Sequence, residues 1–229
     1  MLIAVLFLSA AVLAQTESTH KKLSAQKQVK LLCKQQINFL KNNALVVRLQ
    51  TKKNSIEALI RSGKYEKADK LLKEQNTTNA LIISAFKSSF NFCPVYFVLS
   101  NNSALLADKQ FDKLTFLNDN MQPDTTIKFA KKDFLLAEFT VKEQDTAKYF
   151  DGYYDVHTKN GIEKQPRYYG SSDMGVWGLV VKSEQFVQLR HPFPYFVRMF
   201  STLPLESGYK RTVAKLNSKL DHYYKRMNK

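Results

Sequence analysis

The sequence predicts an α+β fold: a mixed β-sheet packed with helices from the N-terminal half and a C-terminal helix, all around one core. Three observations predict it. Apolar residues recur at helical spacing through the first ninety residues and again over Thr212 to Met227. Between them, short apolar or alternating runs are bounded by Asn, Asp and Gly, the pattern of strands and turns. Two runs, Val95 to Leu99 and Phe134 to Val141, are almost continuously apolar, as strands covered on both faces are. The chain has 229 residues and no Ser/Gly/Pro-rich linker, so residues 15–229 are expected to form a single domain, with 15–22 disordered.

The chain opens with an apolar run, Leu2 to Ala14, ending Val12-Leu13-Ala14. Small residues at the −3 and −1 positions suit cleavage before Gln15, and the run is shorter than the roughly 20 residues a bilayer span needs. Residues 1–14 therefore read as a signal peptide; the alternative is a short anchor that is retained. Export to the periplasm or beyond follows, with no transmembrane helix after cleavage. Intact mass of the exported protein is expected to start at Gln15, and retention of residues 1–14 would refute it.

Residues 22–41 predict an amphipathic helix with Val29, Leu32, Cys33, Ile37 and Leu40 on one side. Leu45 to Leu49 is short and β-branched, hence a strand. Asn54 opens a second helix in a capping-box-like pairing with Glu57; Ile56, Leu59 and Ile60 are expected inward and Gly63 at its C-terminal end. Lys64 to Gln75 forms the next helix. Asn76 or Thr78 caps a separate one carrying Leu81, Ile82, Ala85, Phe86 and Phe90, which Pro94 stops near Asn91. Val95 to Leu99 is expected to be the central, least exposed strand.

After Ser100, a short strand around Leu114 and Phe116 precedes a loop at 118–124, and Phe134 to Val141 is a buried strand. Asn160-Gly161, flanked by Tyr153 to His157 and Ile162 to Tyr169, marks a β-hairpin, with Pro166 keeping the second arm at an edge. Gly170 to Gly175 reads as a link. Val176 to Val181 is a third buried strand, and Phe186 to Leu189 and Tyr195 to Phe200 add edge strands.

Familiar catalytic motifs are absent: no nucleophile elbow, no zinc-protease helix, no phosphate-binding glycine loop. No cofactor is expected. With Cys33 and Cys93, far apart, as the only cysteines, a structural zinc cluster is not expected, and the pair reads either as a disulfide or as two buried thiols. Three constellations stand out. Asp151, Asp155 and His157 have the even spacing that a strand points to one face, suiting acid–base work or a metal. Glu138 interrupts an apolar strand, where burial would favour its neutral acid form. Tyr153, Tyr154, Tyr168, Tyr169 and Trp177 offer aromatic faces with polar tips, suited to sugars or protein partners.

Net charge is +15. The excess is uneven: residues 15–75 hold fourteen Lys and Arg against five Asp and Glu, and 205–229 hold seven against two. Lysine-rich helix faces are the plain reading, and an anionic envelope surface fits the same distribution. Nucleic acid is disfavoured, since no recognition motif is present.

The segments FCPVYFVLS, FLNDNMQPDT, YFDGYYDV and FVQLRHPFPYFVRMF, with the apolar leader and lysine-rich helices, resemble an uncharacterised exported-protein family of Bacteroidota. The resemblance implies no activity and no site residues. It does imply O-glycosylation sequons at Asp145-Thr146-Ala147 and Asp124-Thr125-Thr126. The reading is an exported, non-catalytic module that binds an envelope protein, a glycan or an anionic surface, rather than a hydrolase using Glu138 or the Asp151/Asp155/His157 group.

Overall fold

The computed structural model describes residues 25–131, 133–143, 150–158, 161–168, 175–200 and 204–229, with the side chains of 25, 26, 150, 151 and 166–168 excepted. It is a single mixed α+β fold. The signal segment, Gln15, Thr146, Asn160, Tyr169 and the link at 170–174 lie outside the described residues, as do the side chains of Asp151 and Tyr168.

Helix α1 (Ala25–Asn42) leads into strand β1 (Ala44–Leu49), helix α2 (Lys53–Arg61), the 25-residue helix α3 (Tyr65–Ser89) and strand β2 (Val95–Leu99). A short helix α4 (Ser103–Ala107) and a small hairpin, β3 (Phe116–Leu117) with β4 (Pro123–Asp124), precede β5 (Phe134–Val141). The ribbon β6 (Phe150–Thr158) and β7 (Gly161–Tyr168) comes next. Strands β8 (Trp177–Lys182) and β9 (Phe196–Arg198) and helix α5 (Leu205–Met227) end the chain.

The main sheet runs β2-β1-β5-β8-β9, with β2, β1 and β5 parallel and β8 and β9 antiparallel to their neighbours. Alternation sends Leu45, Val47, Leu49, Ala137, Leu179 and Val181 to one face, where Ile37, Leu40, Phe86, Val213 and Leu216 from α1, α3 and α5 cover them. Val46, Val98, Phe134 and Leu136 point the other way, onto Leu106, Leu114 and Phe116. The C-terminus of α3 is tied to α5 by Asn217, whose amide oxygen accepts the backbone N–H groups of Asn91 and Phe92, both at 3.0 Å.

Several expectations are corrected. Val95 to Leu99 is an edge strand, and β1 is more deeply buried than it is. An apolar run reports that both faces are covered, as they are here, but says nothing of whether both lateral edges are paired. The segments expected as two helices at Lys64 to Gln75 and Asn76 to Asn91 are one helix, α3. Asn79 is buried inside it, accepting from Gln75 Nε2 at 3.0 Å and donating to the Gln50 carbonyl at 2.9 Å, so the polar run Asn76–Asn79 does not break the helix. Helix α2 buries no residue: Ile56 and Leu59 are half-buried and Ile60 is exposed, because α2 packs on α3 and not on the sheet. Its expected C-terminus is borne out. Gly63 is left-handed (φ +72°), and the N–H groups of Gly63 and Lys64 reach Ile60 and Leu59 in a paired cap. Val29 and Leu32 are exposed on the first turns of α1, and only from Cys33 onward does that face enter the core.

Helix α5 begins seven residues before the expected start, at Leu205, since Gly208 masks its helical pattern. A Cβ at Gly208 would lie 2.9 Å from Met199 Cε, the mobile end of a flexible side chain just beyond β9. Neither cysteine is bridged. Cys33 is a buried free thiol, and burial pushes the Cys93 thiol up to about 12.

The hairpin forms, with a shifted turn. Thr158 pairs with Gly161, so Gly161 is the first residue of β7 rather than part of the turn. The ribbon is a two-stranded sheet of its own, and Tyr153, Tyr154 and Ile162 are exposed. Tyr153→Ser and Tyr154→Ser are therefore expected to leave the unfolding free energy within about 0.5 kcal/mol of wild type, as surface changes do. A loss above about 2 kcal/mol in denaturant unfolding would make these rings part of the core.

Candidate functional site

Topology points to one end of the sheet. From β1 the chain crosses through α2 and α3 to β2 on one side, and the next parallel strand, β5, pairs on the other side of β1. The first crossover covers the α1/α3/α5 face, and the second, through α4 and the β3–β4 hairpin, covers the opposite face. The strand order thus reverses at β1, and a crevice opens outside the carboxyl ends of β1 and β5 where such reversals place ligand sites. Register brings the start of β8 and the end of β9 to the same place: Val141 faces Trp177, and Gly178 faces Arg198.

The crevice has a volume of about 760 Å³, within the range of small-ligand sites. Its floor is apolar, from Ile82, Phe139 and Met199, and Trp177 and Leu205 stand at its mouth, Trp177 44% exposed. Its polar edge carries Arg48, Lys52 and Arg198, together with the Gln75–Asn79 pair. None of the described lining residues is acidic. A second depression of about 450 Å³ lies beyond Gln50 over the ends of β1 and β2, sharing Arg48, Gln50 and Lys52. Lys52 sits between the strand and α2 in a left-handed conformation (φ +48°), one that a lysine rarely adopts.

Beneath the edge is a buried ion triad. Glu138 is 4% exposed. One of its oxygens accepts from Arg48 Nη1 at 2.6 Å, the other from Lys182 Nζ at 2.9 Å. Arg48 Nε donates to Ser103 Oγ at 2.7 Å, and the guanidinium lies 5.7 Å from the Phe186 ring centre. These contacts fix the Arg48 plane and leave Nη2 without a protein partner among the described residues. Burial lowers the Lys182 pKa, but hydrogen bonds and charge from Glu138 and Glu143 outweigh it and hold the ammonium above its ordinary value.

The candidates from sequence are dispersed. Trp177 lines the crevice. Glu138 lies below it, both oxygens engaged, and acts on it only through Arg48. Asp155 and His157 are exposed on β6 opposite Lys164 and Ile162, on the face that also carries Tyr153. Tyr154 is on the other face of the ribbon, where its hydroxyl bonds Gln165 Oε1 at 3.4 Å. Among the described residues, no three His, Cys, Asp or Glu side chains are grouped closely enough to hold a metal ion. No helix among them is long and apolar enough to cross a membrane.

Sequence reasoning missed Arg48, Lys52, Gln75, Asn79 and Arg198. A signal existed for three of them. Arg48 interrupts an apolar strand as Glu138 does, and Gln75 and Asn79 precede Ile82 by seven and three positions, on the same buried helix face. Lys52 and Arg198 carry no such mark.

Compared with protein-family models, curated proteins and solved structures, the chain matches none.

Proposed function

We propose that this chain is an exported, non-catalytic binding module whose site is the crevice at the carboxyl ends of β1 and β5, and whose ligand is a small anion. The observation that carries this reading is electrostatic. Among the described residues, Lys52 makes no ion pair and Arg198 is held only against the Phe200 ring, at 5.2 Å. Most exposed lysines on α2, α3 and α5 that have a neighbour of opposite charge pair with it at i,i+4, as Lys73 does with Asp69. Cations left without carboxylates around a concave surface attract anions and focus the field there.

Of the three partner classes that the charge and aromatic content suggest, the concave shape favours a small anion or the acidic end of a glycan over a flat protein or bilayer contact. The hydrolase alternative has less support. A general acid or base must reach the substrate with a carboxylate oxygen, and those of Glu138 are taken up by Arg48 and Lys182. Asp155 and His157 lie on the ribbon, outside the crevice lining.

Lys52 and Arg198 are exposed, so the double variant Lys52→Gln/Arg198→Gln should fold normally. Sodium phosphate at about ten times its Kd, with chloride at equal ionic strength as control, should raise the melting temperature of the wild type by about 3–5 °C. The double variant should show no phosphate-specific rise. Equal rises in both proteins would move the anion site elsewhere.

A further inference from the structure

We infer that the ligand is an amphipathic organic anion: a carboxylate or phosphate head on an apolar body of roughly the size of a medium acyl chain or a two-ring system. This rests on the proposed anion site and adds the ligand's other half. The sheet divides the crevice by chemistry. Arg48 and Arg198 belong to the strand positions facing the α4 side, whereas Phe139, Trp177 and Met199 alternate with their neighbours onto the helix side. The lining is therefore basic along one edge and apolar across the other.

The apolar half is a built surface. Phe139 is buried and packed edge-on against Tyr209, with ring centres 4.7 Å apart, so this wall is rigid. Leu205 and Trp177 are both exposed above it, large apolar groups left in water at the rim of a concavity. A bare anion such as phosphate would leave that wall wet. A neutral apolar molecule would leave Lys52 and Arg198 without a counter-charge. An amphipathic anion satisfies both, since its apolar body leaves water as its head meets the cations.

Trp177 is the only tryptophan in the chain, so its fluorescence reports on this crevice alone. Octanoate, octanol and inorganic phosphate would be titrated into the full chain at fixed ionic strength. Octanoate is expected to shift the Trp177 emission and to bind at least about tenfold more tightly than either of the others. Leu205→Ser, at an exposed position, should weaken octanoate several-fold and leave phosphate unchanged. If phosphate binds as tightly as octanoate, or Leu205→Ser has no effect on octanoate, the amphipathic inference is overturned while the anion site stands. If octanol matches octanoate, the anion site itself is refuted.

Discussion

Replacing Glu138 with Ala is expected to lower the unfolding free energy by about 3–5 kcal/mol, near the lower end because Arg48 keeps some solvent contact. The loss comes less from the missing attraction than from what is left behind. Arg48 and Lys182 have side-chain exposures of 21% and 12%; without the carboxylate Arg48 loses its counter-charge and Lys182 keeps only the exposed Glu143, at 3.0 Å, so two like charges are left close together in a poorly solvated place. Chemical denaturation measures the loss directly. Replacing all three residues with apolar ones of similar volume should recover most of it, because the desolvation cost disappears with the charges. A change below about 1 kcal/mol in Glu138→Ala would show that water already reaches the triad.

The triad also has a pH signature. The folded-state pKa of Lys182 is raised above its ordinary 10.5, so the folded protein binds that proton more tightly than the unfolded chain. The stabilisation is fully present below pH 10.5 and is lost as pH rises through the raised value. Tyr223, pushed up to about 12 by burial, adds a loss of the same sign over the same alkaline range. Lys182→Met should therefore flatten, though not abolish, the fall in stability above pH 10.5.

Phe97→Ala should cost about 3–5 kcal/mol, the transfer energy of the ring plus a cavity that the sheet cannot close. Phe97 is 2% exposed and meets Phe86 of α3 edge-on, with ring centres 6.2 Å apart. Its strand lies at the sheet edge, yet the side chain points into the larger core under α3, and the cost follows the side chain rather than the strand. Denaturant unfolding with an unchanged m-value would assign the effect to stability, whereas a cost below about 1 kcal/mol would place Phe97 at the surface.

The contrast between Phe97 and its strand shows what a single sequence carries. Face burial is written in periodicity, so the core residues of β1, β5, β8 and α5 were legible. Lateral position in a sheet is a property of pairing between distant segments, and β2 was misplaced because its side chains say nothing about its edges. Polar residues inside elements were the other difficulty. Asn76 to Asn79 reads locally as a helix start, and only the contact of Asn79 with the end of β1 explains why the helix continues. Glu138 was legible as an anomaly in an apolar strand, but its role depended on Arg48 and Lys182, which are brought in from other strands. Trp177 was legible as a contact residue for the wrong reason, grouped with the ribbon tyrosines when it belongs to the crevice. Conflict between local preference and global fold thus gathers at the crevice, where functional residues are most often found.

The central claim is that this crevice, and not the ribbon or the lysine-rich helix faces, is where the protein meets its ligand. Backbone amide shift mapping by NMR, with octanoate added at fixed ionic strength, tests it most directly. The perturbed amides are expected to cluster at Gln50 to Ser55, around Gln75 and Asn79, and at Trp177 and Arg198, with β6 and β7 unaffected. Perturbations centred on the β6–β7 ribbon, or spread evenly over the exposed lysines of α2, α3 and α5, would contradict it.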